Sequence, residues 1–407
     1  MRLAKERYVV ECGIEAEFDA FLAQHERELI EFRRTLHAHP EIGYQEYRTT
    51  RQVQARLEAA GLQPAILPKG TGLIVDIGQS GGPVIALRAD IDALPIADHK
   101  DVPYRSQEPN ACHACGHDVH TAILLGVGLL LADLDSKGLL EGRIRLIFQP
   151  AEELSGGALD VLEVMATTKM AAVKRIYALH CNPKIDVGRI ATKAGPITAG
   201  CDKITIQLSG PGGDTGQPHL TADLVYALGK MMGDLPVLLQ RRMDSISGVS
   251  LVWGRVDAGS AVNVIPSSGV IEGTLRCMND DAWHAAPDVL RVLVESIADT
   301  YNVGAEITHQ RIAPPAVNDA DSTKILEVAT ERALGENTVD LAEQSLGGED
   351  FAWYLKGIPG CLARLGTRRP GSDDNLDIHQ SNFDVDERAI GVGVKVMTMT
   401  ALKALES

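Results

Sequence analysis

No run of eighteen apolar residues occurs in this 407-residue chain, so no segment is expected to span a bilayer. Positive charge is in deficit: 39 Lys and Arg stand against 55 Asp and Glu, a net charge of −16. A surface of that average sign repels nucleic acid and anionic membrane, and neither is expected as a partner. The stretch from Met1 to Glu11 holds no apolar core of signal-peptide length. Cysteine is sparse, an odd seven spread from Cys12 to Cys361, which does not look like a disulfide framework. The expected compartment is the cytoplasm. There is no internal repeat and no low-complexity segment.

What is present is ordinary in bulk and unusual in one place. Hydrophobic content of 45% and charged content of 23% suit a soluble globular protein, and the length predicts two domains rather than one. The unusual place is Asn110-Ala-Cys-His-Ala-Cys-Gly-His-Asp-Val-His120, which packs Cys112, His113, Cys115, His117, Asp118 and His120 into eleven residues. Thiolate and imidazole hold borderline-soft divalent ions such as zinc. The apolar run Ala122 to Ala132 reads as a buried helix. The cluster is thus expected in the loop that opens it, where free N–H groups and the dipole favour anionic ligands. A structural zinc knuckle, an isolated CxxC redox pair and a chance polar loop are the rival readings.

Along the chain, apolar spacing predicts helices over about Glu15–Leu36 and Tyr47–Ala60, then strands Leu73–Ile77 and Val84–Asp90. After the cluster come strand Arg143–Gln149, helix Gly156–Ala166 and strand Arg175–His180. This alternation argues an α/β sheet with helices on its faces. Near Ala199 the order changes to strand Lys203–Leu208, helix Pro218–Leu239, strands Val249–Gly254 and Val270–Arg276, helix Ala282–Tyr301 and strand Ala305–His309. That βαββαβ order fits a ferredoxin-like domain inserted into the larger one. The expected division is residues 1–197 and 313–407 for the α/β domain and 198–312 for the insert. Helix Ser322–Ala333, strand Cys361–Leu365 and helix Asp386–Leu402 complete the chain.

Polar residues gather where open α/β sheets place their sites, at strand ends. Asp90 and Asp92 follow one strand, Glu152 and Glu153 a second, His180 ends a third, and His379 lies between the last strand and the final helix. Any one of these means little; four converging are harder to dismiss. Of the adjacent acids Glu152 and Glu153, one can bind a metal while the other takes a proton from bound water. An exposed acidic helix start is the plain alternative.

These residues resemble the metal-dependent amidohydrolase branch of the aminoacylase, carboxypeptidase G and hippurate hydrolase peptidase family. The matching pieces are Arg34-Thr-Leu-His-Ala-His-Pro-Glu41, Arg88-Ala-Asp-Ile-Asp-Ala-Leu-Pro95, His113-Ala-Cys-Gly-His-Asp118, Gln149-Pro-Ala-Glu-Glu153, Ala178-Leu-His180, Asn263-Val-Ile-Pro266 and Gly348-Glu-Asp-Phe351. The resemblance implies a zinc-peptidase-like α/β catalytic domain with an inserted lid through which two subunits pair as a homodimer. It implies two divalent ions per subunit (Zn, Mn, Co or Ni), with Cys115 bridging them and His117, Glu153, His180 and His379 completing the ligands. Glu152 is then the general base, and Asp90 or Asp92 orients the site. The implied substrate is an N-acyl amino acid or related small conjugate, cleaved at its amide bond. Asn263 is the substrate or oxyanion contact.

One departure stands out. Where the family lid reads Gly-Gly-His, this chain has Gly212-Gly-Asp214, with His219 five residues on. In the family that histidine steadies the oxyanion; Asp214 carries the wrong sign for it. Losing one such donor costs about 3–4 kcal/mol of transition-state stabilisation. His219 could substitute, or simply pack or cap near a helix start. A low-activity or non-catalytic ligand-binding homologue, and a dipeptidase or carboxypeptidase, are the alternatives.

Overall fold

The computed structural model describes the chain except Met1, Ser80, Lys169, Ala171 and residues 373–375, and the side chains of residues 2–12 also lie outside it. Elements in chain order are α1 (Arg2–Ala38), α2 (Tyr47–Ala59), β1 (Ala65–Ile66), β2 (Leu73–Gly78), β3 (Val84–Asp90), α3 (His117–Ser136), β4 (Arg143–Gln149), α4 (Gly157–Thr167), β5 (Val173–Asp186) and β6 (Ile190–Thr192). Then come β7 (Gly195–Pro196), β8 (Gly200–Ser209), β9 (Gly213–Asp214), α5 (Leu224–Arg242), β10 (Ser250–Ala258), β11 (Val264–Ile265), β12 (Ser268–Cys277), α6 (Asp280–Thr300) and β13 (Gly304–Ala313). The chain ends with β14 (Val317–Asn318), α7 (Ala320–Leu334), β15 (Val339–Leu341), α8 (Ala352–Leu355), β16 (Gly360–Arg368) and α9 (Arg388–Leu405).

Two compact units result, one of residues 1–195, 318–343 and 353–407, the other of residues 196–317 and 344–352. In the first, eight strands form one mixed sheet in the order β1-β2-β4-β3-β5-β16-β6-β15. Its centre is parallel, β4 with β3, β3 with β5, β5 with β16. Every residue of β3 is buried, as a strand covered on both faces by helices must be. The covering core includes Leu29 and Leu36 from α1, Val119 to Leu134 along α3, and Ile390 to Ala404 along α9. Helix α3 is long and apolar enough to cross a membrane by length and composition, yet 72% of that window is buried in the protein, as befits a core helix.

In the second unit, β8, α5, β10, β12, α6 and β13 follow one another, and the sheet order is β10-β12-β8-β13 with every neighbouring pair antiparallel. This is the βαββαβ arrangement. Along β8, buried Ile204, Ile206 and Leu208 alternate with exposed Lys203, Gln207 and Ser209, so one face meets helices and the other solvent. Helix α5 buries Leu224, Ala227, Leu228, Met231, Leu235 and Leu239, the stripe its 3.6-residue period dictates.

Several boundaries differ from the sequence expectation. The first helix starts at Arg2, well before Glu15. The span Pro218–Leu239 is not one helix: Pro218–Leu220 is a 3₁₀ turn, and α5 begins at Leu224 because the Asp223 side chain accepts a hydrogen bond from Tyr226 N at 3.1 Å, an N-cap. Strand β5 runs past His180 to Asp186: its ladder with β3 stops at Ala178, but its ladder with β16 continues. The six described cysteines are free and buried.

Gly126 shows how tightly the core closes. A Cβ placed there would lie 2.7 Å from Val394 Cγ2 on α9 and 2.8 Å from Leu29 Cδ1 on α1. Gly126→Val is therefore expected to destabilise by about 1–3 kcal/mol through overpacking. Thermal unfolding checks it; an unchanged Tm would show that α1 and α9 yield at this point.

Candidate metal centre

The polar residues collect where the carboxyl ends of β3 and β4 and the middle of β5 meet the start of α3. Asp90 closes β3, and Asp92 lies two residues beyond it. Glu152 and Glu153 sit in the turn after β4, His180 lies within β5, and His379 lies between β16 and α9. His117, Asp118 and His120 are not in the loop before the helix, as expected from sequence, but form its first turn. Gly116, in the left-handed conformation at φ 87°, turns the chain into α3, so Cys115 stays on the loop and His117 on the helix.

Two ligand trios share one sulfur. Cys115, His117 and His180 form one, and Cys115, Glu153 and His379 the other, each with its donor atoms within 4.8 Å of one another. Cys115 Sγ lies 3.4 Å from His180 Nε2, and His379 Nε2 lies 3.5 Å from Glu153 Oε1. His117 Nε2 is 4.0 Å from both Glu152 Oε2 and Glu153 Oε1. Cys115, His117 and His180 are buried, and His379 is half-exposed.

The surrounding bonds aim these atoms inward. His117 Nδ1 donates to Asp92 O at 2.9 Å, and His180 Nδ1 donates to Cys181 O at 2.9 Å. With Nδ1 engaged as the donor in each ring, Nε2 is the nitrogen turned toward the cluster. Asp92 divides its carboxylate: Oδ1 is 3.2 Å from His117 Nδ1, and Oδ2 accepts from Glu153 N at 3.0 Å. His379 has φ 63°, rare for a residue with a Cβ, and its N–H donates to Ala114 O at 2.8 Å. The sequence left Asp90 and Asp92 level; in the structure Asp92 touches two of the five residues directly. Asp90 accepts from Arg88 Nη1 at 2.6 Å and pairs with His120 Nδ1 at 2.5 Å, while His120 Nε2 accepts from Cys181 N.

Charge in this pocket is tightly balanced. Burial opposes ionisation of Asp90, yet His117, Arg88 and His120 hold it well below the usual carboxylate range. Burial also works against a charged His117, but Asp90 and Cys115 lift it well above the usual imidazole value. Burial pushes the Cys115 thiol up and Glu153 to about 7. His180 is driven well below its ordinary value by burial and by Arg364. His117 Nε2 and Glu153 Oε1 are buried and, among the described residues, have no hydrogen-bond partner. Buried polar atoms of that kind demand a counterpart. A thiolate, three imidazoles and a carboxylate supply the donor set of a borderline divalent ion, so the residues fit a metal centre.

Sequence reasoning passed over Arg33, and named His37 only within a matching piece and His120 only within the Cys/His cluster. Arg33 Nε donates to Asp118 Oδ2 at 2.7 Å, and His37 Nδ1 meets the same oxygen at 2.7 Å. Their four-residue spacing, one face of α1, was the available signal. Cys112 is buried, its thiol pushed up to about 11 by burial, and its backbone pairs with Leu94, a packing role.

Asp214, His219 and Asn263 belong to the second unit. Asp214 pairs with Val264 in the β9–β11 ribbon, and Thr215 N donates to Asn263 O at 3.3 Å, so Asp214 and Asn263 are neighbours. Asp214 is exposed, and its Oδ1 accepts from Gly216 N at 2.8 Å, an Asx turn. His219 is exposed on the 3₁₀ turn.

Comparison with known proteins adds independent findings. The model of peptidase family M20/M25/M40 matches residues 86–403. The chain is 39% identical over 383 residues to a Bacillus subtilis N-acetylcysteine deacetylase, covering 93% of this chain and 97% of that protein. It is 43% identical over 382 residues to a Rhodococcus jostii protein provisionally named glutamate–cysteine ligase 2-3. That match takes in 94% of this chain, which spans about half of that relative's length, 47%. Among solved structures, a Bacillus subtilis protein described as a dinuclear metal-binding peptidase of the M20 family is 35% identical, with a TM-score of 0.81. The match covers 95% of this chain and 99% of that one.

Asp92→Ala removes the carboxylate that meets both His117 Nδ1 and Glu153 N and leaves only the backbone Asp92 O to His117. Retention of added zinc by the purified protein is expected to weaken about 10–100-fold. Equilibrium dialysis checks this, and undiminished retention would show that Asp92 does not orient the pair.

Proposed function

The chain belongs to peptidase family M20/M25/M40 and is a hydrolase of that family; we propose that it cleaves the amide bond of N-acyl amino acids or related small conjugates. The observation that carries this reading is the sharing of Cys115 between two ligand trios. On it, two divalent ions per subunit (zinc, manganese, cobalt or nickel) would be held by Cys115, His117, Glu153, His180 and His379. Such ions, when bound, supply Lewis-acid polarisation and lower the pKa of water. Substrate class comes by analogy with the deacetylase relative.

Within this reading Glu152 is the general base. It follows Ala151, whose φ of 52° turns the chain sharply, and it is buried. Glu152 takes a proton from the attacking water as the new C–O bond forms. It then delivers that proton to the amide nitrogen as the C–N bond breaks, releasing acid and amine. Asp92 orients His117 and Glu153, and Asp90 holds His120 and Arg88 behind them. The inserted βαββαβ unit serves as a lid through which two copies pair, contributing Asn263 to substrate or oxyanion contact. A cytoplasmic setting completes the proposal.

A second reading, a homologue that binds such ligands with little turnover, is favoured by one observation: Asp214 stands where the family resemblance places a histidine, and His219 is five residues away.

Assay of N-acyl amino acids against dipeptides, with added zinc, manganese or cobalt, separates these readings. Hydrolysis of N-acyl amino acids is expected. Glu152→Gln should lower kcat by about 10²–10⁴-fold with metal retained, since a carboxamide shuttles no proton. Glu153→Gln should instead lose metal and recover partly in excess metal. Cleavage of dipeptides alone, or full activity in Glu152→Gln, would contradict the proposal.

A further inference from the structure

The loop that carries Glu152 and Glu153 is held in an uncommon conformation, and something must hold it there. Ala151 has φ 52° and Ser155 φ 54°, both in the left-handed region that disfavours a Cβ. Ala151 O accepts from Gly156 N at 3.3 Å and Gly157 N at 3.4 Å, which closes the back of the turn. Its front is met by a segment distant in sequence, Glu41 to Glu46. Ala93 N donates to Glu41 O at 2.8 Å, which seats that segment beside the Asp92 loop. A Cβ on Gly43 would lie 3.3 Å from Ala151 Cα and 2.8 Å from Leu154 Cδ1, so the two backbones pass close together. Glu46 Oε1 accepts from Ala151 N at 2.8 Å, and Glu46 is completely buried.

Glu46 stands at the N-cap position of α2, but its side chain makes no capping bond there. That task falls to Glu41, whose carboxylate accepts from Arg48 N at 3.0 Å and Thr49 N at 2.8 Å. A helix start therefore does not account for a buried acid at Glu46. Among the described residues its second oxygen, Oε2, is buried without a hydrogen bond. Burying a carboxyl group is costly unless the bonds it makes are needed, and besides Ala151 N the backbone of Glu46 and Tyr44 also eases its ionised form.

We propose that Glu46 is a positioning residue, which fixes the left-handed turn at Ala151 and thereby the directions in which Glu152 and Glu153 point. Its bond reaches the amide next to Glu152, while the Asp92 bond reaches the amide of Glu153 itself. The two acids are thus pinned from both sides. Burial, with the charge of Asp92 adding to it, raises the Glu46 carboxyl to about 7. What matters is the reach of the side chain to Ala151 N.

The test separates reach from charge. Glu46→Gln keeps the length and an acceptor oxygen but carries no charge; Glu46→Asp keeps the charge but is one methylene too short. Hydrogen exchange in a peptide spanning residues 149–157 is read on each folded, zinc-loaded protein, together with kcat and KM for N-acetyl-L-cysteine. Glu46→Asp is expected to speed exchange in that peptide about tenfold or more, as a freed amide does. It should also lower kcat about 10–100-fold with KM little changed, the scale of a small misplacement of reacting groups. Glu46→Gln is expected to stay within about threefold of the parent on both readouts, taking the turn to survive with an amide acceptor. Unchanged exchange and kcat in Glu46→Asp would overturn the proposal, and so would a Glu46→Gln protein as impaired as Glu46→Asp. The kinetic arm rests on the function proposed above, the exchange arm does not. If the parent protein hydrolyses no acyl amino acid, that function fails while exchange alone still decides the role of Glu46.

Discussion

The site depends on one divided carboxylate. Asp92 gives one oxygen to His117 Nδ1 and the other to Glu153 N, so a single side chain ties together the end of β3, the start of α3 and the turn after β4. β3 and β4 are parallel neighbours, and the first residue of α3, His117, lies against Asp92 just beyond β3. A histidine that donates from Nδ1 must offer Nε2, and a glutamate tethered through its own backbone amide must extend its carboxylate the other way. Both then face the Cys115 sulfur. The geometry follows from packing a few hydrogen-bonded groups where the sheet leaves a crevice.

Burying so many ionisable groups would be ruinous without mutual compensation. Arg88 and His120 flank Asp90, and Arg33 with His37 flanks Asp118. Removing one partner of such a pair strands the other, at a cost of about 3–5 kcal/mol. His117 Nε2 and Glu153 Oε1 are among the buried atoms without a hydrogen bond within the described residues, and they lie at the place where five ligand-type residues meet.

Much of this was legible in the sequence. Val84 to Asp90 is a strand to the residue, and the βαββαβ order of the second unit follows from periodicity in Lys203–Leu208 and Val270–Arg276. The gathering of Asp92, Glu153 and His180 could be read from strand ends, and Cys115 and His117 from the Cys/His cluster. What could not be read depended on contacts distant in sequence. His117 belongs to α3 because Gly116 supplies a left-handed turn, which cluster composition does not reveal. β5 passes His180 because β16, nearly two hundred residues later, extends its ladder. Asp90 and Asp92 differ by two positions and look alike in sequence, and only the orientation of His117 tells them apart. Glu46 reads as an ordinary helix start until its side chain is seen turned toward Ala151.

The central claim is that one sulfur serves two ion sites, and zinc binding to the metal-free protein and to two variants tests it most directly. The parent is expected to take up two equivalents of zinc per chain, by calorimetric titration with elemental analysis of the saturated protein. His379→Ala should lose one tight equivalent and keep the other, because the Cys115, His117 and His180 trio remains. Cys115→Ala should lose tight binding at both, because each trio is broken. One equivalent in the saturated parent, or a Cys115→Ala protein that still binds two equivalents tightly, would contradict the account.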